Sequence, residues 1–212
     1  MSENSNTVEV KDEKLTTKSK STKTEKVLFI VGIILIVIML PILILDAVLL
    51  IKSAVNPDDV PSVFGNKPLV IMSESMEGIT SEEALLKQEI ARKTLEDPNF
   101  IWTTNDPFKK HDLIFVKDTD IHDYLKSKTE QDIEEVNIEL VGRTIAFKDF
   151  NTQGEWSIIV HRIAKVARVS ELDKSLGYDT ESGWKIYTYG INNPSVDNGS
   201  IDPDIIIGEW HG

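Results

Sequence analysis

Apolar residues first form one long uninterrupted run. The nineteen residues 27–45 contain no charged side chain. A helix of that length spans about 28 Å, close to the ~30 Å hydrocarbon core of a bilayer, so the run predicts a transmembrane helix. Pro41 is compatible with it because membrane helices tolerate proline. A cleavable signal peptide is the alternative, but its apolar region is usually only about 7–15 residues long.

The flanks of this run predict its boundaries and orientation. Six lysines precede it, at positions 11, 14, 18, 20, 23 and 26, whereas only Lys52 and Lys67 follow it closely. Lysine is enriched in cytoplasmic flanks, so the N-terminus is predicted in the cytoplasm and the remainder outside the cell membrane. We therefore assign residues 1–25 to a polar disordered tail, 26–52 to a single-pass anchor and 53–67 to a linker.

Residues 68–212 show the short β-branched and aromatic runs that are typical of β-strands. These runs cover residues 69–72, 112–117, 141–147, 157–169, 184–189 and 204–210. A capping box at residues 80–83 precedes an amphipathic stretch that stops at Pro98, which predicts one inserted helix at about 80–97. The chain is therefore predicted to be mostly β, an antiparallel sheet or open barrel after one transmembrane helix.

The composition excludes several classes of function. A formal net charge of −12 argues against nucleic acid as a partner, because phosphate binding needs a concentrated basic face. The chain has no cysteine, which excludes disulfides, thiolate catalysis and cysteine-bound zinc. The four histidines include no pair with the spacing of a zinc protease, and no metal or other cofactor is predicted.

His161 is a candidate general base. In a strand, residues two apart share a face, so Ile159, His161 and Ile163 are predicted to lie on one side. An imidazole between isoleucines is shielded from water, which suits a general base and equally suits a core histidine bonded to a carbonyl. Downstream, a loop holds three carboxylates that could orient an imidazole or simply lie in a solvated turn: Asp197, Asp202 and Asp204.

Two serines stand one residue apart where the first predicted strand ends. Ser73 and Ser75 follow an apolar run made of Leu69, Val70, Ile71 and Met72. In an extended segment both hydroxyls would face the same side. The pair is compatible with an ordinary turn, or with a nucleophile and a hydroxyl that assists it.

In combination and in order, these motifs resemble type I signal peptidase. "SESM" after a strand is followed by "HDLIFVK", "VGRTIAF", "IIVHRI" and "YTYGINN" with an aspartate beyond it. The His-Arg pair is similar to the branch of endoplasmic reticulum, archaea and some Gram-positive bacteria, in which histidine replaces lysine as the base. The resemblance covers about residues 68–208.

The resemblance implies a role for each matched residue. Ser75, directly before methionine, corresponds to the nucleophile, and His161, which opens the His-Arg pair, corresponds to the base. Asp197, seven residues after Gly190, corresponds to the aspartate that orients the base. Ser73 takes the place of a hydroxyl that joins the Ser75 amide in the oxyanion hole. The run at residues 69–72 corresponds to the substrate-binding edge strand.

The implied function is a membrane-bound serine endopeptidase that removes signal peptides from exported preproteins. Its partners would be those preproteins and the lipid bilayer, and the sequence specifies no accessory subunit. The chain departs from the family pattern at Gly78, at His111-Asp112, at Arg143 and at Ile191, which replaces the first aspartate of Gly-Asp-Asn-Asn. Ile191 and Arg143 favour an alternative, an inactive membrane-tethered homologue that binds extended peptides. A self-cleaving protease of the phage-repressor type is disfavoured by the anchor.

Overall fold

The computed structural model of the chain describes residues 23–55, 60–62, 64–104, 108–150 and 156–211. Most of the predicted tail and part of the predicted linker lie outside these ranges. The chain divides into two units, residues 1–50 and 51–212.

One apolar helix makes up the described part of the first unit. This helix, α1, covers Lys23–Val55 and contains Pro41. Its segment Lys26–Val48 has a mean hydropathy of 3.4 and is long and apolar enough to cross a membrane. Within the described ranges no second helix meets both criteria. By length and composition α1 therefore fits a single membrane span.

The second unit is built on one six-stranded antiparallel sheet. Its strands are β1 (Asn66–Val70), β2 (Leu113–Lys117), β3 (Thr144–Phe150), β4 (Trp156–Arg168), β5 (Trp184–Tyr189) and β6 (Ile206–Trp210). Their order across the sheet is β1-β2-β6-β3-β4-β5, and every neighbouring pair is antiparallel. The prediction of a mostly β domain with an antiparallel sheet after one apolar helix is confirmed.

Short helices connect the strands. They are α2 (Ser81–Leu95), α3 (Ile121–Lys126), α4 (Ile133–Leu140), α5 (Glu171–Ser175) and the 3₁₀ turns Glu130–Asp132 and Pro203–Ile205. At the start of α2, Thr80 and Glu83 exchange the two hydrogen bonds of a capping box. Only one helix was predicted here; α3, α4 and α5 are too short to show a clear helical period.

Apolar side chains pack on both faces of the sheet. Successive residues of a strand point to opposite faces, and β3 shows this alternation. Ile145 and Phe147 join a buried cluster with side chains of α3 and α4. Ala146, between them, joins a second cluster with side chains of α2. Helices therefore cover both faces, with α2 on one side and α3 with α4 on the other.

The largest differences from the predicted strand boundaries are in β1 and β3. β1 begins at Asn66, inside the predicted linker, and ends at Val70, so Met72 lies outside it. Pro68 is accommodated because β1 is an edge strand, where a missing N–H costs no ladder hydrogen bond. β3 begins at Thr144, later than predicted, because Gly142 has a φ of 88° and interrupts the extended backbone.

Candidate functional site

Ser75 lies in a bend that follows β1. Ile71 still pairs with the backbone next to β2, since its N–H donates to Asp112 O at 2.9 Å, and the chain then turns away. The next side chain after Ser75, Met76, is 1% exposed and anchors the bend in the core. The Ser75 carbonyl accepts the N–H of Asn192 at 2.8 Å. The backbone around Ser75 is thus fixed on both sides, while its side chain is half-buried.

β4 presents His161 on the face predicted from the alternation. The strand register pairs His161 with Ile145 of β3, and the imidazole meets the Phe147 ring edge to face with centroids 6.4 Å apart. Ile163 belongs to the cluster that contains Phe147, and Ile159 packs against that cluster. His161 is only 6% exposed, so its imidazole is largely shielded from water.

A series of hydrogen bonds connects the predicted residues. Ser75 Oγ lies 3.2 Å from His161 Nε2, and His161 Nδ1 lies 2.6 Å from Asp197 Oδ2. A carboxylate only accepts, so Nδ1–H donates to Asp197 and Nε2 is left to accept the Ser75 hydroxyl proton. Ser73 Oγ lies 2.9 Å from Ser75 Oγ, although the segment between them bends. All four side chains predicted to act together therefore meet in one place.

Two further residues, which the sequence analysis missed, hold Asp197. The buried Thr188 hydroxyl donates to Asp197 Oδ2 at 2.7 Å, and Asn193 Nδ2 donates to Oδ1 at 3.3 Å. The Asp197 N–H donates in turn to the Thr188 carbonyl at 2.9 Å. These contacts depend on how the loop after β5 folds back on the strand. No spacing rule in the sequence signals them.

The other two carboxylates of the loop have different partners. Asp204 Oδ1 contacts His122 Nε2. Asp202 caps the Pro203–Ile205 turn by accepting the Asp204 N–H at 3.0 Å, and burial raises the pKa of its carboxyl group. His122, Glu181 and Asp204 also bring potential metal-ligand atoms within 4.8 Å of one another. Glu181 already pairs with Lys126, and none of the three belongs to the series that ends at Ser75.

Gly190 permits the close approach of the loop to Ser75 and His161. A Cβ at this position would lie 2.7 Å from the Ser75 carbonyl oxygen and 2.8 Å from His161 Nε2. Both distances are too short for any side chain, so the backbone can pass here only at a glycine. In the sequence analysis Gly190 served only to count seven residues to Asp197. The structure adds a steric reason for a glycine at this position.

An apolar groove leads to Ser75. A cleft of about 380 Å³ is lined by Val70, Ile71, Met72, Ser73, Ser75, Met76, Ile158, Ile159, Val160, His161 and Asn193. A second cleft of about 530 Å³ shares Val70, Met72, Ile158 and Val160 with it. Three of the four predicted substrate-binding residues line the first cleft. The fourth, Leu69, is buried in the core and lines the second cleft.

Unpaired strand edges flank this groove. In the part of the chain that the structure describes, β1 pairs only with β2. Residues 156–161 of β4 pair there only with β3, because β5 joins β4 from Arg162 onward. An open edge offers backbone N–H and C=O groups to an added strand. The groove can therefore accept an extended peptide through main-chain hydrogen bonds.

The two departures that favour an inactive homologue have structural explanations. Arg143 Nη1 lies 3.2 Å from a carboxylate oxygen of Glu209, so the half-buried arginine side chain pairs with a buried carboxylate. Ile191 is fully buried and belongs to the same apolar cluster as Met76 and Trp102. Each residue therefore fits its own surroundings, and the position of Ile191 suits an apolar side chain.

We expect Ile191→Asp to lower the free energy of unfolding by about 3 kcal/mol, because it places a carboxylate in an apolar cluster. Ile191→Asn is the matched control, since it has the same shape without the charge. Burial raises the pKa of an introduced carboxyl group, so the difference between the variants should be small near about pH 4 and grow as pH rises. Urea unfolding at several pH values measures the difference in the free energy of unfolding between the two variants. Equal stabilities at neutral pH would contradict the apolar assignment of this position.

Comparisons with protein families, with curated proteins and with solved structures find no match for this chain. The site itself therefore supplies the chemical evidence. A hydroxyl, an imidazole and a carboxylate joined in this order by hydrogen bonds form an arrangement that can activate the hydroxyl as a nucleophile.

Proposed function

We propose that the chain is a membrane-bound serine endopeptidase that removes N-terminal signal peptides from exported preproteins. The observation that carries this proposal is the hydrogen-bonded series of Ser75, His161 and Asp197 at an apolar, open-edged groove. The motif pattern that resembles histidine-type signal peptidases supports it. So does α1, a helix apolar enough to hold the enzyme in a bilayer.

The chemistry begins at Ser75. His161 Nε2 removes the hydroxyl proton while Oγ attacks the scissile carbonyl carbon, and a tetrahedral oxyanion forms. His161, now an imidazolium ion, gives the proton to the departing amine as the peptide bond breaks. Water, activated by the same imidazole, then hydrolyses the acyl-enzyme and restores Ser75. Throughout, Asp197 stabilises the imidazolium and keeps Nδ1 protonated.

The oxyanion needs donors beside Ser75. The Ser75 amide N–H is one, and the Ser73 hydroxyl, 2.9 Å from Ser75 Oγ, is the second. Each donor of this kind typically contributes about 2.7–4 kcal/mol to transition-state stabilisation. In the resting protein the two hydroxyls bond to each other, so Ser73 must turn towards the oxyanion during the reaction.

The groove would bind the cleavage region of a preprotein as an added strand. Main-chain hydrogen bonds to β1 and to residues 156–161 supply affinity without regard to sequence. Met72, Ile158 and Val160 line the first cleft with bulky side chains, which leaves shallow apolar space. The residue before the cut should therefore be small, such as alanine. α1 would tether the chain to the bilayer, with the lysine-rich flank on the cytoplasmic side.

A pair of matched peptides tests this function. Both carry one preprotein cleavage region, with alanine or leucine as the residue before the cut. We expect kcat/KM to fall at least about 10-fold for leucine, because its extra methyl groups have no room in a shallow pocket. The measurement is product formation by purified protein in detergent. Equal rates, or cuts at unrelated bonds, would contradict the proposed specificity.

The alternative, an inactive homologue that binds extended peptides, predicts a different outcome. It has the groove and the open edges, so binding alone does not separate it from the enzyme. It would bind the alanine peptide and release no product. The enzyme would bind the same peptide and cut it once.

A further inference from the structure

The loop after β5 requires accurate placement. Residues 190–197 run past Ser75 and end at the carboxylate that contacts His161. Asn192 N–H binds the Ser75 carbonyl at 2.8 Å, and Gly190 leaves no space for a Cβ next to His161. A small shift of this loop would therefore move Asp197 and the Ser75 backbone together.

The middle of this loop is held by side chains from a distant part of the sequence. The Ile191 carbonyl accepts the indole N–H of Trp102 at 3.0 Å and the ammonium of Lys87 at 3.3 Å. The hydrogen bond from Trp102 is buried. Burial also lowers the pKa of the Lys87 ammonium, in keeping with its inward direction. Two donors thus converge on one main-chain oxygen.

Aromatic packing fixes the ring that makes the buried hydrogen bond. The Trp102 indole lies 4.7 Å from the Tyr189 ring, at the end of β5 where the loop begins. Phe100 meets both rings edge to face, with centroids 6.2 Å and 5.5 Å away. All three side chains are nearly inaccessible to water. The indole N–H is therefore directed at the loop with little freedom to turn.

α2 fixes the segment that carries Trp102. Gln88 Oε1 accepts the Trp102 backbone N–H at 3.0 Å, and Arg92 Nε donates to the Phe100 carbonyl at 2.9 Å. Ala84 and Ala91 bury the inner face of α2 in the cluster that also contains Ile191. Residues 81–104 thus form one packed element, called here the bracing segment, which contacts the loop through the Trp102 indole and the Lys87 ammonium.

We propose that Trp102 is a positioning residue, which holds the loop of residues 190–197 so that Asp197 and Ser75 keep their geometry with His161. This inference rests on the proposed function. The bracing segment places an indole N–H and an ammonium on the Ile191 carbonyl. Trp102 touches no reacting atom and acts through the loop.

The test compares two tryptophan-to-phenylalanine changes. Trp102→Phe keeps an aromatic ring and removes the donor to Ile191. Trp184→Phe is the matched control, because Trp184 is fully buried and its indole N–H has no hydrogen-bond partner among the described residues. With a cleavable peptide, Trp102→Phe should lower kcat about 10- to 100-fold, as expected for a misplaced catalytic group, and leave KM unchanged. Trp184→Phe should retain the native kcat.

A second readout does not depend on cleavage. The proton that His161 Nδ1 donates to Asp197 can be followed by proton NMR of the ¹⁵N-labelled ring. Trp102→Phe should shift or broaden this resonance, and Trp184→Phe should leave it in place. If native protein cuts no preprotein but Trp102→Phe alone moves the resonance, the proposed function fails and the positioning role stands. If the two variants agree in kcat and in the resonance, the positioning role is wrong.

Lys87→Met decides the matter should Trp102→Phe fail to fold. Lys87 is half-buried on α2, and its replacement removes only the second donor to the Ile191 carbonyl. We expect a smaller loss of kcat, about 3-fold, with KM unchanged and the same resonance shifted. A native kcat together with a native resonance in this variant would overturn the proposal.

Discussion

Ser75→Ala should reduce kcat for a cleavable peptide by ~10⁴–10⁶-fold, the largest effect expected of any single substitution here. Its hydroxyl is the nucleophile, and the neighbouring Ser73 hydroxyl cannot replace it because His161 Nε2 faces Ser75 at 3.2 Å. His161→Ala should cause a loss of the same order. The double variant should be no slower than either single one, since base and nucleophile act as a unit.

Ser73→Ala is the matched control for this prediction. It removes a hydroxyl from the same segment, 2.9 Å away, and should cost only ~10²–10³-fold, the loss of one oxyanion donor. Peptide binding should survive in every variant, because the strand edges bind through main-chain groups. If Ser73→Ala proved the more damaging change, the nucleophile would be wrongly assigned.

Asp197→Asn should reduce kcat by roughly 10³–10⁴-fold. An asparagine can turn its NH₂ group towards His161 Nδ1, which leaves the imidazole proton on Nε2 and prevents it from accepting the Ser75 proton. The carboxylate also accepts from Thr188 and Asn193, so an amide would match only part of this donor set. Steady-state kinetics on the folded variant measures the loss.

Asp202→Asn is the control in the same loop. Asp202 accepts the Asp204 N–H at a turn, and asparagine caps such a turn nearly as well. Its kcat should therefore stay within about 3-fold of the native value, since a cap affects stability and leaves the reacting groups in place. A severe loss in Asp202→Asn with a mild one in Asp197→Asn would show that the orienting carboxylate is misassigned.

Much of the fold follows from local patterns. The β-branched runs at 184–189 and 112–117 predict β5 and β2, and the capping box predicts α2. Strand boundaries are predicted less well, because the position of a strand in the sheet can override a local sequence rule. Asn66 and Lys67 lie in the predicted linker, yet both belong to β1, and an edge position lets Pro68 follow them inside the strand. Local patterns also do not predict the order of the strands across the sheet, because this order depends on which faces become buried.

The sequence also predicts part of the candidate site. Ser75 and His161 are recognisable because each lies in a distinctive short motif. The choice among the three loop carboxylates needs either the resemblance to the signal peptidase family or the folded structure. Thr188 and Asn193 lie within the motif "YTYGINN", but the motif does not predict their contacts with Asp197, and Trp102 lies in no motif. Their contacts join residues through the loop after β5 and the bracing segment, so only the packed structure reveals them.

The most direct test of the central claim is processing of a full-length preprotein by the detergent-purified native chain, with Ser75→Ala purified identically. We expect the native sample to release one mature product whose new N-terminus directly follows a small residue. The Ser75→Ala sample should bind the preprotein and release none. Equal processing by both samples would contradict a role for Ser75, and binding without processing by the native chain would show a peptide-binding homologue instead of a peptidase.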